Sequence, residues 1–156
     1  MRQDLQNAVR SASERAEVRH AVRQLYSRVQ HEIDLRRPLC LVSGRCCRFE
    51  EFGHRLYVTT VELAAFCHDA SMAQPALKWD GAGCPFQRDK LCTVHAIRPF
   101  GCRIFFCDAS STAWQNELYE RFHSELKSLH DRFDVPYFYV EWRQSLELLG
   151  LLLIGG

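Results

Sequence analysis

The residues best equipped for chemistry in this chain are its thiols. Eight cysteines occur in 156 residues, and two of them, Cys46 and Cys47, are adjacent. Cys40, Cys46 and Cys47 form one group, Cys84, Cys92, Cys102 and Cys107 form a second, and Cys67 stands alone between them. Thiolates gathered from separate stretches make either disulfides or a metal site. The opening residues Met1-Arg2-Gln3-Asp4 are polar, without the apolar run of a signal peptide. The most apolar stretch, 146–154, is too short to span a bilayer and is broken by Glu147 and Gly150. A cytoplasmic location is therefore expected. Thiols stay reduced there, which favours metal over disulfides, although Cys46 and Cys47 could each pair with a separate partner.

The arrangement also bears on which metal. Neighbouring residues direct their side chains apart in most backbone conformations, so Cys46 and Cys47 reach one ion together only awkwardly. Zinc sites built from thiolates are usually closed and four-coordinate. The candidate ligands Cys40, Cys46, Cys47, Cys84, Cys92, Cys102 and Cys107 exceed that need. A polynuclear zinc site or an iron–sulfur cluster uses such a surplus more readily, and the expectation leans to iron–sulfur with zinc as the alternative. The aromatic residues Phe49, Phe52, Phe86, Phe100, Phe105 and Phe106 crowd both groups and would supply an apolar shell, or simply a core.

Read as an ordered set, these residues resemble the YkgJ-type cysteine-cluster family, described as a zinc- or iron-chelating domain. That family shows C-x-x-C-x-x-C-C, then Cys-Pro before apolar residues, then a further cysteine and an Arg-Pro-x-x-Cys-Arg element. The corresponding stretches here are Cys40-Leu41-Val42-Ser43-Gly44-Arg45-Cys46-Cys47, Cys84-Pro85-Phe86, and Cys92 followed by Arg98-Pro99-Phe100-Gly101-Cys102-Arg103. The match spans less than half of the chain. Ser43 stands where the family has its second cysteine, and a hydroxyl is a poor ligand for a soft site. Either one coordination position is open, or Cys107 restores the missing thiolate. The resemblance implies metal chelation. A related cysteine cluster is associated with flagellin lysine methylases, which allows work beside protein-modifying chemistry.

Other candidates are weighed against plain structural roles. His95, three residues after Cys92, has a spacing that permits a shared metal, but packing is the expected role. Arg98 suits either hydrogen bonds to cluster sulfurs or the end of a short helix. Cys67 follows Leu63 and Phe66 on an apolar helix and reads as a core residue. His54 falls in a turn and is expected at the surface, and Asp108 and Ser110 suit the cap of the next helix. No Walker, dinucleotide-binding or nucleophile-elbow motif occurs.

The elements that must position these groups are legible in part. Ala21, Val22, Leu25, Val29 and Ile33 recur at helical spacing, and a helix is predicted from Ser11, with Glu14 at capping-box distance, to Leu35 before Pro38. A hairpin is predicted from 48–52 and 55–59 around Gly53-His54, and Thr59 with Glu62 opens a helix through Cys67. Residues 70–83 read as a loop, and Pro85, Pro99 and Gly101 keep the second cysteine group in short elements. The clearest stripe is Trp114, Leu118, Phe122, Leu126, Leu129 and Phe133, on a helix opened by Thr112 and Gln115 and packed in the core. After Tyr137-Phe138-Tyr139 a last helix is predicted through the cluster at 146–153.

A hydrophobic share of 47% fits one globular domain over 1–156, with the motif region at 40–107. The expected fold is α+β, mainly α, with a short hairpin and irregular metal-binding loops packed on helices. A net charge of +1 exerts no general pull on nucleic acid or membranes. Arg15, Arg19 and Arg23 make a small basic stripe at four-residue spacing, which is most simply a solvated face. The reading is thus a metal-binding protein holding an iron–sulfur or polynuclear zinc centre. Its alternatives are a metalloenzyme modifying a peptide or protein at an open metal position, and a zinc-stabilised module that docks a partner helix or RNA.

Overall fold

A computed structural model of the chain describes residues 2–36, 56–70, 77–79, 83–88, 91–104, 110 and 112–154, with backbone alone at 77–79, 88, 91–92 and 152–154. The fold is α+β and mainly helical. Two helices open it, α1 (Arg2–Ser13) and α2 (Ala16–Arg36). The single helix expected from Ser11 is therefore corrected, because Ser11 lies in the last turn of α1 and the chain bends at Glu14 and Arg15. The bend has a packing cause. Leu5 and Val9 of α1 join one apolar cluster, whereas Val18, Val22, Leu25 and Val29 of α2 join another. Ala12, at the end of α1, already belongs to the α2 cluster, so the bend falls where the stripe passes from one cluster to the other. Arg15 fixes the corner by donating to the Phe133 carbonyl at 2.7 Å, and Arg19 by donating to the Ser13 carbonyl at 2.6 Å.

Between the two clusters runs α3 (Thr60–Asp69), preceded by the strand β1 (Tyr57–Thr59). Thr60 to Cys67 are all buried: Val61, Ala64 and Ala65 face the first cluster, and Leu63, Phe66 and Cys67 the second. A helix apolar around its circumference is covered on every side. The capping pair expected at its start is present, with the Thr59 N–H and hydroxyl donating to Glu62 Oε2 at 2.9 and 3.0 Å. A second partner comes from far along the chain. The Val61 N–H donates to His130 Nε2 at 3.4 Å, and His130 Nδ1 donates to the Leu126 carbonyl at 2.8 Å. Burial holds His130 below the ordinary histidine range, which keeps it in the neutral form that this pair of bonds requires.

Further along come β2 (Leu77–Trp79), β3 (Gln87–Arg88), β4 (Leu91–Cys92), a 3-10 turn (His95–Ile97) and α4 (Phe100–Ile104). They are followed by α5 (Thr112–Phe133), β5 (Tyr139–Glu141), α6 (Trp142–Leu148) and β6 (Leu152–Ile154). The α5 stripe packs as expected: Leu118, Phe122 and Leu126 are buried in the first cluster, with Trp114, Leu129 and Phe133 against it. Thr112 is the first helical residue. Ion pairs from Arg28 to Glu125, and from Arg121 to Glu32 at 3.0 Å, run between α2 and α5.

The strands join distant parts of the chain. β1 pairs antiparallel with β5, placing Val58 opposite Val140, whereas the 48–52 half of the expected hairpin lies outside the described residues. β2 pairs in parallel with β6, with Lys78 opposite Leu153. This corrects two expectations, since part of 70–83 is strand, and the last helix stops at Leu148. Gly150, with φ of 75°, takes the left-handed conformation that ends α6 and turns the chain into β6. β3 and β4 form a two-residue antiparallel ladder. No helix among the described residues is long and apolar enough to cross a membrane.

Candidate metal centre

The second cysteine group is carried on short elements, as its prolines require. Past Cys84 the chain turns at once, the Gln87 N–H donating to the Cys84 carbonyl at 3.1 Å. The ladder then places Cys92 opposite Gln87, and the Thr93 N–H donates to the Phe86 carbonyl at 3.0 Å. This hairpin returns the backbone of Cys92 to within a few residues of Cys84, a pairing that no periodicity announces. Next, the 3-10 turn and Pro99 lead into α4, where the Cys102 N–H donates to the Pro99 carbonyl at 3.1 Å. Gly101 permits a close approach at this point: a Cβ there would stand 2.5 Å from Leu56 Cδ1.

Cys84 and Cys102 reach the same apolar cluster, Cys84 as a buried member and Cys102 half-buried against it. Of the seven candidate ligands, these are the two whose side chains are described. Cys92 is described as backbone, and Cys40, Cys46, Cys47 and Cys107 lie outside the described residues, as do Ser43, His54 and Asp108. Among the described residues no three His, Cys, Asp or Glu side chains gather as a metal ion would need.

The neighbourhood fits a thiolate-bound metal in one specific respect. The Trp142 ring is 1% exposed and meets Phe66 edge-on at 4.9 Å and Phe86 at 6.0 Å, in the cluster that holds Cys84. Its Nε1–H is buried and has no acceptor among the described residues. A buried donor left unpaired costs about 1–3 kcal/mol, and hydrogen bonds to ligand sulfurs are one means by which a protein tunes a thiolate-bound cluster. Phe86 packs on Phe66 and Trp142 in the cluster that holds Cys84, as either a shell or a plain core requires. Phe100 instead packs on Tyr119 and Phe122 in the first cluster. Phe49, Phe52, Phe105 and Phe106 lie outside the described residues.

Cys67 is the core residue it was expected to be. It is 1% exposed and carries no disulfide, and burial pushes its thiol up to about 12. At pH 8 only about one such thiol in ten thousand is ionised. Under native conditions Cys67 is therefore expected to be the last cysteine alkylated by iodoacetamide, and to react fully only in denaturant. Peptide mass spectrometry of a labelling time course reads this directly, and early labelling of Cys67 would refute it.

Arg98 closes a short turn, whereas His95, expected to pack, is exposed. His95 Nδ1 lies 3.2 Å from Arg98 Nη1, and Arg98 donates to the His95 carbonyl at 2.6 Å, closing the 3-10 turn. Partial burial, followed by the charges of Arg98 and Arg103, holds His95 below its ordinary value. The arginine stripe is likewise spent on the fold. Arg15 pairs with Glu17 at 2.9 Å, Arg19 closes the α1–α2 corner, and Arg23 pairs with Asp69.

One buried polar group ties the cysteine-bearing turn to the helices. Glu62, 4% exposed, accepts four hydrogen bonds. Oε2 takes the two from Thr59, and Oε1 takes the Phe100 N–H at 2.8 Å and the Tyr26 hydroxyl at 3.3 Å. Phe100 is the first residue of the helix that carries Cys102. Glu62 therefore locks α2, α3 and α4 together at one point. Its burial raises its pKa, against the opposing pull of those donors. The capping spacing of Thr59 and Glu62 marked this residue in the sequence, but nothing marked its burial, Tyr26, Trp142 or His130.

No family model matches this chain, and comparisons with curated proteins and with solved structures likewise found no match.

Proposed function

We propose that this chain is a metal-binding protein whose clustered cysteines hold an iron–sulfur or polynuclear zinc centre, with iron–sulfur favoured. The ligands of that reading are Cys40, Cys46, Cys47, Cys84, Cys92, Cys102 and Cys107. The observation that carries it is that Cys84 and Cys102 both belong to the apolar cluster of Trp142, whose buried N–H has no acceptor among the described residues. Two thiols from different elements belong to that low-polarity neighbourhood, which also holds a donor of the kind that suits thiolate charge. The thiolate surplus and the adjacent pair Cys46-Cys47 favour several metal atoms over one.

An iron–sulfur centre would supply electron transfer or sulfur-bound redox chemistry, and a zinc centre would supply structure or a Lewis acid. The protein's own contribution is to keep water from the thiolates with Phe66, Phe86 and Trp142, and to anchor α4 through Glu62. Anaerobic purification followed by metal and acid-labile sulfide analysis and an absorption spectrum tests the reading. Broad visible absorption with iron and sulfide is the expected result. A colourless protein with stoichiometric zinc would leave only the zinc form, and a metal-free protein that fails to take up either metal would end the proposal.

A further inference from the structure

A cavity of about 220 Å³ lies between α2, α3 and the 3-10 turn, bordering the Trp142 cluster through Phe66 and Ile97, and its lining includes Arg23, Tyr26, Phe66, Asp69, Ile97 and Arg103. Arg103 is the informative residue. Its guanidinium lies 4.1 Å from the centre of the Tyr26 ring, with Nε donating to the Arg98 carbonyl at 2.8 Å and Nη2 to the Ala96 carbonyl at 3.1 Å. These contacts fix the plane of the fork, so little side-chain freedom is left to lose on binding. They do not use Nη1, and no carboxylate pairs directly with Arg103 among the described residues, although Tyr26, Cys102 and Glu62 act on its charge through space. A half-buried cation of this kind ordinarily has an anionic partner.

The rest of the lining narrows what that partner is. Arg23 is neutralised by Asp69, so the cavity keeps the single positive charge of Arg103. Tyr26 offers only its ring, because its hydroxyl is engaged by Glu62. Ala65, Phe66 and Ile97 are apolar, which disfavours a fully hydrated polyanion and suits a hydrocarbon body. The geometry points to a binding site for a small monocarboxylate with an apolar body, its carboxylate on the Arg103 fork and its body against Ala65, Phe66 and Ile97. Arg103 directly follows Cys102, so the site borders the proposed ligand set, but carboxylate binding can be read without reference to metal content.

The test uses the full chain as purified, followed by NMR of the Arg103 side-chain N–H groups and the Ile97 methyl groups. The probes are 2-methylpropanoate, its neutral amide 2-methylpropanamide, and inorganic phosphate. Saturable shifts at both residues are expected with 2-methylpropanoate, and binding of the amide and of phosphate is expected to be at least about tenfold weaker. Arg103→Gln should weaken 2-methylpropanoate by about tenfold or more, and Arg103→Lys, which keeps the charge but loses the fork, by a smaller factor. Because Arg103 also holds two backbone carbonyls, a second variant guards against misfolding. Ala96→Phe, at an exposed rim position, should block the cavity while leaving the thermal midpoint unchanged. Absence of saturable shifts at tens of millimolar 2-methylpropanoate would overturn the proposal. So would equal binding of the amide or of phosphate, or undiminished binding by folded Ala96→Phe.

Discussion

Glu62→Ala is expected to destabilise the protein by about 3–5 kcal/mol, the upper part of the range for single substitutions, reached when a buried hydrogen-bond network is broken. Four donors lose their acceptor at once: the Thr59 N–H and hydroxyl, the Phe100 N–H and the Tyr26 hydroxyl. Each buried donor left unpaired costs about 1–3 kcal/mol, offset where water enters the space the side chain vacates. Against a usual total of about 5–15 kcal/mol, this is a large fraction of the stability of a domain. The thermal midpoint should fall by roughly 10–15 °C. Glu62→Gln keeps both the shape and an oxygen acceptor, so its loss should be smaller, about 1–2 kcal/mol.

The same pair of variants separates charge from shape. Burial raises Glu62 above its ordinary value of 4.5, so the folded state holds this proton more tightly than the unfolded chain. The stability contributed by this group is therefore fully present below pH 4.5, and is lost as pH rises through the raised folded value. Urea midpoints between pH 4 and pH 8 should show that decline in the wild type and lack it in Glu62→Gln. Equal pH slopes in the two proteins would mean that Glu62 titrates normally.

The second large effect concerns the cysteines. Structural zinc is worth about 10–16 kcal/mol, so one thiolate of four carries about 3 kcal/mol, or on the order of a hundredfold in affinity. Cys84→Ser and Cys102→Ser are each expected to weaken metal retention by about that factor, because a hydroxyl is too hard a ligand for the site. Cys67→Ser should retain the metal of the wild type, since its thiol belongs to the core. Metal-to-protein ratios after identical anaerobic purification check all three. Retention of full metal by both Cys84→Ser and Cys102→Ser would remove those residues from the ligand set. Cys107→Ser extends the comparison: a loss like that of Cys84→Ser would identify Cys107 as the thiolate that compensates for Ser43.

Several parts of this arrangement were legible because they depend on local spacing. The stripe from Trp114 to Phe133, the α2 stripe from Ala21 to Ile33, the Thr59–Glu62 cap and the apolar setting of Cys67 all sit within a few turns of one helix. A period of 3.6 residues writes such features directly into the chain. The bend at Glu14 and Arg15 was hidden for the complementary reason. Periodicity reports that Leu5, Val9, Val18 and Val22 want burial, but not that the first two enter one cluster and the last two another. The parallel pair at 77–79 and 152–154 was equally hidden, since residues so far apart leave no shared local pattern.

On its own, then, the sequence determined that this is a mainly helical α+β chain, which thiols stand in ordered groups, and that Cys67 belongs to the interior. Only the tertiary structure decided that α3 separates two apolar clusters and that Cys84 and Cys102 approach the same one. It also decided that Arg103 faces a cavity whose one lining carboxylate among the described residues, Asp69, pairs with Arg23. The physical reason is common to all of these. Local spacing specifies which face of an element must leave water, whereas the partner that covers it, and the acceptor that meets a buried donor, come from chain segments tens of residues away.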